Sequence, residues 1–202
     1  PHHVASSSEL RGDWSCFNQE LAPAVEVYSV HGNGMNDTLA FDPFGGNAYQ
    51  PETTVHDALS LDIFRHKIGF YGSTDNHTSM PGDVCSVNPD MAMLQYGGGL
   101  AVVVQDEKQP FTRLAVRDAL VERRTYATSG PMIPVVVEYY ANDEYLGKMG
   151  EVLDFPTGAS LRAEVFVPEE HAVHVTEVQL LYPEVGAEDP PVWIAHGMTA
   201  TS

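Results

Sequence analysis

Cysteine is scarce in this chain, with two in 202 residues, Cys16 and Cys85. They are too few for a disulfide framework, have no metal-type spacing and leave the redox compartment open. Positive charge is also short: 10 Lys and Arg, three of them Lys, stand against 28 Asp and Glu, for a net charge of −18. That balance repels nucleic acid and anionic membrane surfaces, so no nucleic-acid partner is expected; it also suits a protein adapted to high salt. The acids are scattered rather than run together, as on a solvated surface. No apolar run is long enough to span a membrane, and no internal repeat, low-complexity tract or long linker is present. No basic-then-apolar stretch opens the chain, and the sequence selects neither cytoplasm nor periplasm. What is present, a hydrophobic content of 43%, supports a packed core.

Two rhythms follow along the chain. Up to about residue 130, short apolar strands alternate with helical patterns. "AVEVYSV" (24–30), "KIGFYGS" (67–73) and "GLAVVVQ" (99–105) read as strands. "TTVHDALSLDIFRH" (53–66) reads as a helix opened by Thr caps. "PFTRLAVRDALVERR" (110–124) reads as a second helix, with Leu114, Val116, Ala119 and Leu120 inward and a basic end suited to its C-terminal dipole. Strand–helix alternation predicts a parallel α/β arrangement, sheet or barrel. After "TYATSGP" the strands 132–141, 160–168, 172–183 and 191–197 succeed one another with no helix between, which predicts an antiparallel, sandwich-like region. The expected domains are therefore 1–132 and 133–202.

Candidate chemistry gathers at the predicted strand ends. In "GFYGSTDNHTSMPG" (69–82) a strand releases Asp75 and His77, one residue apart, and i and i+2 of an extended stretch project to one side. Both are ligand types for Zn, Mn or Fe, although Asp, Asn and Thr after a strand are also ordinary turn residues. Glu26 lies inside an apolar, β-branched strand, where a carboxylate is costly unless paired or bound to a cation. His31 follows in "HGNGMND", and His2 and His3 open the chain in "PHHVASSS". In parallel α/β folds, sites lie at the carboxyl ends of strands, which is where these residues fall.

The series resembles the PHP (polymerase and histidinol phosphatase) superfamily of metal-dependent phosphoesterases, and more narrowly its DUF3604-like group. The matching stretches are "PHH", "VEVYSVHGN", "GFYGSTDNHTSMPG", "GGLAVV" and "RDALVERRTYATSGP", with "GKMGE" beyond. The resemblance implies the C-terminal half of a distorted (β/α)7, TIM-like barrel, followed by the small antiparallel β-rich region. It implies a hydrolase with two or three divalent ions (Mn, Zn or Fe) held by His2, His31, Asp75 and His77, with His3 as a possible addition. Glu26 would be a further ligand or would orient a ligand histidine. Asp75, His77 and His31 would carry the catalysis of a small phosphate ester through a metal-activated water. The family's opening His-x-His is absent, so the N-terminal half of the barrel is expected upstream, on a segment of about 100 residues or more.

Other residues have plainer readings. Arg123 and Arg124 could hold a phosphate bidentately, or simply form a basic helix end. Ser73 and Ser129 have no partnered base at a recognisable spacing, which leaves a serine hydrolase without support. The alternative function is a degenerate scaffold without catalysis, whose β-rich tail binds a ligand or carbohydrate through Tyr139, Tyr140, Tyr145, Phe166 or Trp193.

Overall fold

The computed structural model describes residues 14, 17–29, 32–35, 54, 55, 58, 68–75, 99–105, 108–130, 132–169, 175, 178–183 and 193–198. Its centre is the pair β1 (Ala24–Ser29) and β3 (Gly69–Gly72), which run parallel, with β2 (Gly32–Asn33) returning antiparallel on the other side of β1. β1 is buried along nearly its whole length, as a strand covered on both faces must be. Alternation sorts its residues. Val25 and Val27 join Trp14, Val55 and Ala58 in the core, and Phe70 of β3, with Ile68 just before it, packs against the same cluster. Trp14 meets Phe17 edge-on at 5.6 Å. Ala58 N–H donates to the Thr54 carbonyl at 3.0 Å, one helical turn of the stretch read as a helix over 53–66. The rest of that stretch lies outside the described residues.

β4 (Leu100–Val103) leads through helix α1 (Arg113–Val121) to β5 (Thr125–Thr128). Thr112 caps α1, its Oγ1 accepting from Ala115 N–H at 3.1 Å. Ala119 is the buried position of α1, whereas Leu114, read as inward, is 68% exposed. Arg123 then takes a left-handed φ of 62°, the conformation that ends many helices.

Here the expected half-barrel fails. β5 returns antiparallel to β4, pairing Leu100 with Thr128 and Val103 with Thr125, where a (β/α) barrel needs parallel neighbours at every step. Among the described residues the one parallel pair is β1–β3, and the strands fall into four small sheets with one complete helix. The fold is β-rich, not a TIM-like α/β barrel. The cause is local. "TYAT" is a strand of β-branched and aromatic residues placed directly after the helix, so the chain turns back at once beside β4.

The β4–β5 pair leans on the end of β3. Thr125 Oγ1 donates to the Phe70 carbonyl at 2.8 Å, and Gly99 N–H to the Ser73 carbonyl at 2.6 Å. Two glycines permit the approach: a Cβ at Gly72 would sit 2.8 Å from the Leu100 carbonyl oxygen, and one at Gly99 2.7 Å from that of Tyr28.

The remaining strands are antiparallel. β6 (Val136–Ala141) is flanked by β7 (Glu144–Lys148) and β8 (Leu161–Phe166), while β9 (Val178–Pro183) pairs with β10 (Trp193–Met198). Asn142 and Asp143, both at positive φ (48° and 68°), make the tight turn between β6 and β7. Arg162 lies over the Tyr140 ring at 4.1 Å and pairs with Asp143 and Glu164. Tyr126 joins the two regions: its hydroxyl donates to the Ile133 carbonyl and accepts from Val135 N–H, each at 2.8 Å.

Candidate functional site

The register of β1 and β3 sets Glu26 beside Tyr71, so the two side chains share the face opposite Val25 and Phe70. Ser73 continues that face two residues on. Its hydroxyl donates to Glu26 Oε2, and its backbone N–H donates to the Tyr28 carbonyl at 2.9 Å. Glu26 is 8% exposed, so this hydrogen bond holds a carboxylate almost removed from water.

Asp75 stands just beyond the carboxyl end of β3 with φ 46°, a left-handed conformation that an aspartate adopts more readily than most residues. The Tyr71 phenol is within the electrostatic reach of both acids. Burial pushes its pKa above the ordinary tyrosine value, and the charges of Glu26 and Asp75 push it further. The group is therefore a protonated donor in a locally negative field. The sequence offers no signal for Tyr71 on its own and presents Ser73 only as a serine without a partnered base. The alternation of "FYGS" opposite an acid-bearing strand was the signal that could have found them.

The expected ligand set is described only in part. Glu26 lies within β1 beside Tyr71, and Asp75 lies just past the end of the parallel neighbour β3. His2, His3, His31 and His77 lie outside the described residues. Among the described residues, no three His, Cys, Asp or Glu side chains converge as a metal-holding group, so the expected metal centre does not assemble from these alone.

Arg123 and Arg124 sit elsewhere. A Cβ on Gly69 would touch the Arg123 side chain at 3.0 Å, which places Arg123 at the start of β3 while Asp75 follows its end. The separation is at least the length of β3, roughly 10 Å. Arg124 is committed structurally: it pairs with Glu122 at 2.8 Å and donates to the Val104 carbonyl at 3.2 Å. Neither arginine belongs to the acid face.

Among the described residues, no helix is long and apolar enough to cross a membrane. In sequence, the chain is similar to an uncharacterized protein of Chlamydia pneumoniae, at 27% identity over 131 residues. The match covers 63% of this chain, and the chain spans about a fifth of that relative, 20% of its length. No family model matches the sequence. No solved structure matches it.

Proposed function

We propose that the chain carries part of the site of a metal-dependent hydrolase acting on a small phosphate ester. One observation carries the reading: two carboxylates, the nearly buried Glu26 within β1 and Asp75 just past the parallel strand β3, both act on the Tyr71 phenol. A buried acid is costly to keep charged, and a cation offsets that cost. The donor set fits the implied metal, because carboxylate oxygens suit Mn, Zn and Fe. Glu26 and Asp75 would hold it, with His31, His77 and His2 as the imidazole partners that the PHP resemblance supplies. The chemistry such ions bring when bound is activation of water and neutralisation of phosphoryl charge.

The chain's own groups have separable tasks. Ser73 fixes one oxygen of Glu26, which orients the other. Tyr71, kept protonated by its surroundings, donates a hydrogen bond to an ester or phosphoryl oxygen. The net charge of −18 favours a small substrate over a nucleic acid. The reading is tested by assaying the native protein with Mn against phosphomonoesters and phosphodiesters. Hydrolysis of a monoester that falls at least about tenfold in both Glu26→Gln and Asp75→Asn supports it. Hydrolysis indifferent to Asp75, or none with any ester, overturns it in favour of a non-catalytic binding module.

A further inference from the structure

A second site is outlined by charges left over around helix α1. A groove of about 800 Å³ opens between Gln105, α1 and the turn after β7, a volume suited to a small molecule. Three carboxylates line it, and each is engaged. Asp118 pairs with Arg117 and Glu122 with Arg124, both at 2.8 Å, and Glu151 accepts from the backbone N–H of Lys148 at 3.3 Å. Of the three cations on the same wall, Arg124 is thereby used. Among the described residues, Arg123 reaches only the Val121 carbonyl, at a long 3.4 Å, and neither Arg123 nor Lys148 is in an ion pair. In a chain with 28 acids to 10 bases, two cations without a carboxylate are conspicuous.

Gln105 supplies the third unmatched group. Its Nε2 donates to the carbonyls of Gln109 at 2.8 Å and Pro110 at 3.0 Å, which fixes which way the amide points. Its Oε1 is then buried with no donor among the described residues, and buried acceptors are nearly always satisfied. Leu114 and Val152, 68% and 55% exposed, give the groove apolar walls. The complement of these features is an anion with a neighbouring hydrogen-bond donor.

We infer that the groove binds a small molecule bearing a carboxylate or phosphate next to an N–H or O–H donor. Arg123 and Lys148 take the anion and Gln105 Oε1 takes the donor. The site lies at the start of β3, is not lined by Glu26 or Asp75, and does not depend on the chemistry proposed there.

The test is a nuclear magnetic resonance titration of the ¹⁵N-labelled full chain with inorganic phosphate and, separately, with N-acetylglycine, which carries a carboxylate beside an amide N–H. Saturable shifts confined to Gln105, Arg123 and residues 148–152 are expected with at least one probe, and which probe saturates tells phosphate from carboxylate. The double variant Arg123→Gln/Lys148→Gln should weaken binding at least tenfold, and Gln105→Leu severalfold. If the double variant loses its dispersed spectrum, Lys148→Gln alone carries the comparison. Absence of saturable shifts with both probes, shifts centred on Asp75, or affinity unchanged in the folded variants overturns the inference.

Discussion

Replacing Gly72 with alanine strikes the contact that seats β4 and β5 against the acid-bearing pair. The new Cβ would lie 2.8 Å from the Leu100 carbonyl oxygen, 3.0 Å from its nitrogen and 3.1 Å from the Thr128 carbonyl oxygen. Relaxed carbon contacts are about 3.5 Å or more, so the neighbours must retreat by roughly half an ångström. All three atoms are backbone, and Leu100 and Thr128 are ladder partners, so they can move only together. That movement strains the bonds from Gly99 N–H to Ser73 and from Thr125 Oγ1 to Phe70. Overpacking costs about 1–3 kcal/mol, and a loosened hydrogen bond about 1 more. The lower freedom of alanine in the unfolded chain offsets about 0.4–1 kcal/mol. The net loss is about 2 kcal/mol, or a fall of about 4–8 °C in Tm for a chain of this size. Scanning calorimetry reads it directly. Gly158→Ala is the comparison: nothing lies within 4 Å of its new Cβ, and only its φ of 78° is unfavourable, for about 1 kcal/mol. A Gly72→Ala protein that melts with the wild type, or above Gly158→Ala, would refute the described seating of β4 and β5.

Further outcomes follow from single contacts. Tyr126→Phe strips partners from the Ile133 carbonyl and Val135 N–H, costing about 1–3 kcal/mol in a urea titration and speeding proteolysis between residues 130 and 136. Asn142→Ala puts a β-carbon without a helpful side chain at φ 48° and removes the acceptor of Ser160 N–H, for about 2 kcal/mol by the same titration. Burial is the main cause raising the pKa values of Tyr139 and Tyr126 in the folded protein. Their contribution is therefore intact below the unfolded tyrosine value of 10.0 and is lost as pH rises past it towards the folded values. Melting temperatures should decline above about pH 10, with tyrosinate absorbance appearing later in the folded protein than in urea. A flat profile between about pH 9 and 11 would contradict the burial of these rings.

Much of the local structure could be read from residue type. The β-branched run at 24–30 forms β1, and the Thr112 cap starts α1 as a capping residue should. Pairing direction could not be read, because period-2 alternation looks the same in parallel and antiparallel strands. The barrel expectation rests on strand–helix alternation and the PHP resemblance, and the antiparallel return of "TYAT" overturns it. The stretch 132–141 was read as one strand without its hairpin partner, although Asn142-Asp143 is a turn sequence. Leu114 fits a helical apolar stripe, yet it lies on the groove wall, since the core beneath α1 closes on Ala119 alone. At the acid face, Glu26 stood out as a charge among valines. The roles of Tyr71 and Ser73 could not be read, because they come from a register between strands more than forty positions apart, as the 47-residue separation of Ser73 and Glu26 shows. Arg123 and Arg124 looked suited to phosphate from their charge, but sequence adjacency to a helix end carried no information about which end of β3 they would meet.

The central claim is that Glu26 and Asp75 act as a cation-holding pair. It is met most directly by calorimetric titration of the native protein with Mn²⁺. A chain of net charge −18 attracts cations over its whole surface, so the comparison between variants decides, not binding as such. The account predicts at least one saturable site that withstands about 0.5 M salt, where surface attraction is screened. It also predicts that Glu26→Gln and Asp75→Asn each weaken that site about tenfold or more. Uptake that vanishes in salt, or a tight site equally strong in both variants, would contradict it.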